Sequence, residues 1–211
     1  VEYIYVLIET CELEKALELA KNLLDKYQEN DHSYYLIALI YEKLGNIDLA
    51  YENYIKACEI NSQCSISYLA LGILSYNEKN YDKAMQYIDI VLNIDFNNIN
   101  AHYYAGMVYL AQEKFEKAIS EFKYVVTFDA KNIQAYNNLG IAYSFLGWID
   151  EALEEFKAAA ALNPDNPDIR YALGYIYYKK NDYDSAEEEL VSVIKKNSAY
   201  YQAHAALGSV Y

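Results

Sequence analysis

Residues 133–166 read IQAYNNLGIAYSFLGWIDEALEEFKAAAALNPDN. Two apolar patterns at helical spacing lie in this stretch. The first runs through Tyr136, Leu139, Gly140 and Tyr143, and the second through Ile149, Ala152, Phe156 and Ala159. Steps of three and four residues put each set on one side of a helix. Gly147-Trp148 interrupts the two runs, and Gly there can end a helix in the left-handed conformation at no steric cost. The stretch closes on the turn-forming run Asn163-Pro164-Asp165-Asn166. The spacing predicts two helices joined by a tight turn, closed by a second turn.

The same unit recurs in both directions. Gly72, Gly106, Gly140, Gly174 and Gly208 stand 34 residues apart, as do Ala16, Ala50, Ala84, Ala118, Ala152 and Ala186. In this register the expectation is one array over residues 1–211. It has five complete units (31–64, 65–98, 99–132, 133–166 and 167–200), a partial unit 1–30 before them and a partial unit 201–211 after them. Each second helix opens with an acid: Glu14, Asp48, Asp82, Glu116, Asp150 or Asp184. A carboxylate in the first turn faces the positive end of the helix dipole and can also cap free N–H groups. The small Gly and Ala positions let the paired helices approach closely, with residues such as Tyr143 and Phe156 filling the space around them. One pair cannot bury its apolar face alone, whereas stacked pairs share a continuous core.

Composition agrees. The chain has 211 residues and a formal charge of -14, from 17 Lys+Arg against 31 Asp+Glu. Hydrophobic residues make up 54%, and 26 residues are Tyr, so a core can form. Seven Gly and two Pro are too few to punctuate a many-stranded β-fold. The acidity argues against nucleic acid as a partner and against anionic lipid. No apolar run reaches the roughly 18 residues needed to enter a bilayer as a helix. Cys11, Cys58 and Cys64 are odd in number and lack metal or disulfide spacing, which favours a reducing compartment such as the cytoplasm.

The unit resembles the tetratricopeptide repeat (TPR). Its pattern of an aromatic, Leu-Gly, Tyr, Ala, an aromatic and a late Pro is met by Tyr136, Leu139-Gly140, Tyr143, Ala152, Phe156 and Pro164. Unit 167–200 keeps Leu173-Gly174, Tyr177 and Ala186, but has Arg170 for the first aromatic. Unit 65–98 has Ser75 where Tyr is usual, and unit 31–64 has Ile37-Ala38 for Leu-Gly. The resemblance implies an all-α, right-handed α-solenoid of antiparallel helix pairs, whose first helices line a concave groove that binds a peptide or helix of a partner protein.

The groove can be read along the first helices, on the stripe opposite the core positions. It comprises Tyr35, Leu39, Glu42 and Lys43; Leu69, Ile73, Tyr76 and Asn77; Tyr103, Met107, Leu110 and Ala111; Asn137, Ile141, Ser144 and Phe145; and Tyr171, Tyr175, Tyr178 and Lys179, with the apolar and aromatic members and Asn137 as the candidate contacts. A solvated helix face is polar, and an apolar strip of this extent marks a binding surface. Tyr offers a flat face with a polar tip, and Met adapts its shape. A chaperone-tail clamp needs basic residues where this chain has Tyr35, Leu39, Ala70, Asn100 and Tyr104, so that sub-function is not expected. Nor is an asparagine ladder, since Asn137-Asn138 stands nearly alone.

Chemistry is not expected. His102 and His204 share a register three repeats apart, too far for one metal, and are read as core residues. The run Asp95-Phe96-Asn97 lacks the Gly and the Glu of a calcium loop. Cofactors, metals and catalytic residues are all expected to be absent. The competing reading is a structural spacer or self-assembling scaffold segment of a larger protein. It arises because Val210 and Tyr211 take core positions of a first helix without its second, so that the terminal repeats could self-associate.

Overall fold

The computed structural model describes residues 1–27 and 30–211. The described residues form thirteen α-helices. They are α1 (Glu2–Glu9), α2 (Leu13–Lys26), α3 (Asp31–Lys43), α4 (Ile47–Ile60), α5 (Ser65–Asn77), α6 (Tyr81–Ile94), α7 (Ile99–Ala111), α8 (Phe115–Phe128), α9 (Ile133–Phe145), α10 (Ile149–Leu162), α11 (Pro167–Lys179), α12 (Tyr183–Lys196) and α13 (Tyr201–Val210). First helices from α3 onward start 34 residues apart, and so do second helices from α2 onward.

Local chemistry sets these bounds. At the unit boundaries Asn30, Asn98, Asn132 and Asn166 accept hydrogen bonds from backbone N–H groups in the first turn of α3, α7, α9 and α11, satisfying donors that a helix start leaves unpaired. At two second-helix starts the caps are Asn80 and Asp182, which accept from Lys83 N and Ser185 N. Asp82 and Asp184 follow one residue past the first helical position, where a carboxylate faces the positive end of the dipole. Between paired helices the chain turns with positive φ at Cys11, Gly45, Lys79, Glu113, Gly147 and Asn181, again 34 residues apart. After each, an N–H reaches back five residues, as in Asn80 N to Ser75 O at 2.9 Å and Trp148 N to Tyr143 O at 3.0 Å. This is the Schellman closure of a helix end.

The chain divides into two compact units, Val1–Tyr104 and Ala105–Tyr211. In each, the Ala ladder lies at the centre, with all six alanines fully buried. Each first helix meets the residue sixteen positions on. In Ala105–Tyr211, a Cβ on Gly106, Gly140 or Gly174 would lie 2.7, 2.9 or 2.7 Å from the side chain of Phe122, Phe156 or Leu190. In Val1–Tyr104 the corresponding pairs are Gly72 with Ile88, at 3.1 Å, and Ala38 with Tyr54, both buried. A Cβ on Gly208 would meet nothing within 4 Å.

Candidate functional site: two clefts on the first helices

Four of the first helices carry no charged side chain. No Asp, Glu, Lys or Arg occurs on α5, α7, α9 or α13, while every second helix carries several. Nine of the fourteen candidate groove residues line two clefts, one in each unit; Tyr76, Tyr103, Met107, Leu110 and Tyr178 line neither.

In Ala105–Tyr211 a cleft of about 640 Å³ opens between α9 and α11, with Phe156 of α10 at its floor. Asn137, Ile141, Phe145, Tyr171 and Tyr175 all line it. Phe145 is 67% exposed, yet its ring lies parallel to Phe115 at 4.8 Å. Tyr171 stacks between Tyr175 at 6.4 Å and Tyr200 at 5.5 Å. Tyr200 donates to Asp168 at 2.7 Å, and burial together with this bond raises its pKa. The Lys179 ammonium sits 5.2 Å from the Tyr175 ring, within cation–π reach. Tyr178 is half-buried against Tyr183 and lies outside the cleft lining. Met107 and Leu110 are also half-buried, and the Asn138 amide donates to the Met107 sulfur at 3.0 Å.

In Val1–Tyr104 a smaller cleft of about 230 Å³ lies between α3 and α5, over Tyr54 of α4. Tyr35, Leu39, Leu69 and Ile73 line it. Tyr35 is buried within this lining. Its ring is 9% exposed, stacked on His32 and tilted against Tyr54 at 5.9 Å each, and burial pushes its hydroxyl up to about 12. Tyr54 donates to Glu42 Oε2 at 2.9 Å. Burial, then the neighbouring carboxylate, drives the Tyr54 pKa strongly upward. Tyr76 and Tyr103 are half-buried, each packed on Tyr104.

Several cleft residues escaped the stripe reading. Tyr200 and Asp168 lie in or beside a unit boundary rather than mid-helix, and Phe156 and Tyr54 belong to second helices. Glu42, the one acid on the stripe, does line the first cleft.

The histidines split. His102 is buried, with Nε2 2.8 Å from the Phe96 carbonyl. His204 is exposed, which corrects its reading as a core residue; its Nε2 lies 3.0 Å from the Ser198 carbonyl. Arg170 donates to the Pro164 carbonyl at 2.8 Å. At one register, then, three side chains tie the helix to the turn six residues back. Among the described residues no group of three His, Cys, Asp or Glu could hold a metal, and no helix is long and apolar enough to cross a membrane.

Three family models match the chain. Two are described as tetratricopeptide repeat, at residues 31–64 and 146–208, and one as TPR repeat, at 106–147. The chain is a tetratricopeptide repeat protein. Solved TPR structures share its all-α solenoid class. YrrB, described as a TPR protein with an unusual peptide-binding site, superposes with a TM-score of 0.77 at 23% identity, covering 90% of this chain and 98% of that one. Pseudomonas aeruginosa pilF gives 0.89 at 14% identity, covering 99% and 95%. PilW, a type IV pilus biogenesis factor, gives 0.85 at 17%, covering 98% and 96%. Identities this low establish the fold alone. No curated protein matches in sequence. The TPR fold is in general a protein-interaction fold, typically without catalysis.

Proposed function

We propose that this chain is a non-catalytic interaction module that holds a peptide or amphipathic helix of a partner protein on the apolar, Tyr-rich faces of its first helices. The observation that carries the reading is the cleft between α9 and α11, where five of the expected groove residues line one open space of about 640 Å³. Its volume falls within the roughly 300–1,000 Å³ typical of ligand sites. Its aromatic walls offer broad contact area at low entropic cost. YrrB, the TPR protein described by its peptide-binding site, supports the reading by analogy of fold. Three or four apolar anchors at about 2 kcal/mol each, set against an association cost of about 4–15 kcal/mol, place a short ligand at micromolar strength at best. Tighter binding requires a segment that touches several helices.

The test is selection of peptides from a random-sequence phage library on the whole chain, followed by fluorescence anisotropy with synthetic hits. Phe145→Glu and Tyr175→Glu place a charge at exposed cleft positions and are expected to weaken those hits by about tenfold or more. Unchanged affinity, with helicity retained, would favour the spacer reading, which tolerates charge on this face.

A further inference from the structure

We propose that the cleft of Val1–Tyr104 is a cation-selective pocket. It takes the ammonium or guanidinium head of a Lys or Arg borne on an apolar segment of a partner protein. This rests on the reading of the first helices as a recognition surface and adds to it the chemistry of one site. Glu42 is the only charged residue in the lining of the cleft. The Tyr54 hydroxyl donates to its Oε2 at 2.9 Å, a single bond to a group that can accept about four. Among the described residues no cation pairs with this carboxylate.

A half-buried carboxylate with no counter-charge is poorly compensated for the water it has lost, and an incoming cation making charge-assisted hydrogen bonds restores the balance. The walls suit such a cation's stem. Leu39, Leu69 and Ile73 give an apolar lining along which the methylenes of Lys or Arg can lie while the head stays polar. At about 230 Å³ the space falls below the roughly 300 Å³ at which small-molecule sites begin, which suits one long side chain. The surrounding charge attracts the same ligand, since residues 1–104 carry sixteen Asp and Glu against seven Lys and Arg. The site occurs once in the array, because the equivalents of Glu42 in later repeats are Tyr76, Leu110, Ser144 and Tyr178.

The experiment selects peptides from a random-sequence phage library on the wild-type chain and, separately, on Glu42→Gln. The Gln side-chain oxygen can still accept the Tyr54 hydroxyl, and circular dichroism checks that the fold is kept. Wild-type hits are expected to carry a Lys or Arg within an apolar stretch. Replacing that residue by norleucine should weaken binding about tenfold on the wild type and leave binding to Glu42→Gln unchanged, while selection on Glu42→Lys should enrich acidic peptides instead. Hits that need Leu69 or Ile73 but carry no basic residue, or that bind Glu42→Gln as well as wild type, would overturn the proposal. If hits depend on Tyr175 and none on Glu42, this pocket fails while the interaction reading stands. If no hit depends on either cleft, both fail.

Discussion

The two clefts occupy equivalent places in repeats 31–64 and 133–166 and have different chemistry. One is floored by Tyr54, with Ala38 above it and Glu42 at its edge; the other is floored by Phe156, with Gly140 above it and Ser144 at the edge. These pairs stand three repeats apart in the same register. A hydroxyl on the floor ring and a carboxylate at the edge give the first cleft a single anionic group, whereas the second is lined by one charge of each sign, Asp168 and Lys179. The helix pair beneath stays the same because its geometry rests on the buried Ala ladder and the ring that meets the first helix. The chemistry of a cleft lining can therefore change at the edge of a repeat while the Ala ladder beneath stays buried.

Removing the floor breaks the comparison at its base and carries the largest effect. Tyr54 and Phe156 are 1% and 2% exposed. Truncating either to Ala leaves a cavity worth about 3–5 kcal/mol, read as a lower urea midpoint by circular dichroism. Tyr54→Phe keeps the ring and should cost less, about 1.5–3 kcal/mol, the worth of a hydrogen bond to a charged group such as Glu42. If Tyr54→Ala and Tyr54→Phe cost the same, the ring is not the floor of the first cleft.

Alkali probes the burial of the first cleft next. The Tyr35 phenol holds its proton up to about 12 against an ordinary value of 10.0, chiefly through burial. A proton bound more tightly in the folded chain stabilises fully below pH 10, and that contribution is lost as pH rises towards 12. For Tyr35 it amounts to roughly 2 kcal/mol. Helicity is expected to fall across this window, with Tyr35→Phe shifting the loss to higher pH. An unshifted profile would mean that the phenol ionises freely and that the first cleft is open to water at Tyr35.

The scaffold was legible because its signals repeat. Any residue of the Ala ladder could be a coincidence singly, but six at one spacing locate every second helix. The groove stripe followed from helix geometry, and its residues in 133–175 do gather in one cleft. What escaped lay off the stripe. Tyr200 and Asp168 reach the second cleft from the region of a unit boundary, and the burial of Tyr35 depends on His32 and Tyr54, whose rings close over it. Periodicity tells which side of a helix a residue occupies, but not how far its neighbours cover it. The acids at the second-helix starts do stand in the first turn of each second helix.

The turn between paired helices gives the finest comparison. The left-handed residue is Gly45 in the repeat of the first cleft and Gly147 in that of the second, while the two repeats between them place Lys79 (φ 62) and Glu113 (φ 59) there. The need for this conformation was readable only where Gly met it. An L-residue there crowds its Cβ against the following carbonyl, costing about 1–2 kcal/mol, partly balanced by the extra freedom Gly has when unfolded. Lys79→Gly and Glu113→Gly are therefore each expected to stabilise the chain by about 0.5–1 kcal/mol, raising the thermal midpoint, while Gly147→Ala lowers it by a similar amount. Gly147 has nothing within 4 Å of a would-be Cβ, so a loss there measures backbone strain rather than a clash. Equal midpoints for Gly147→Ala and wild type would show that this turn relaxes out of the left-handed region, and that the Schellman closure is held by its backbone hydrogen bonds alone.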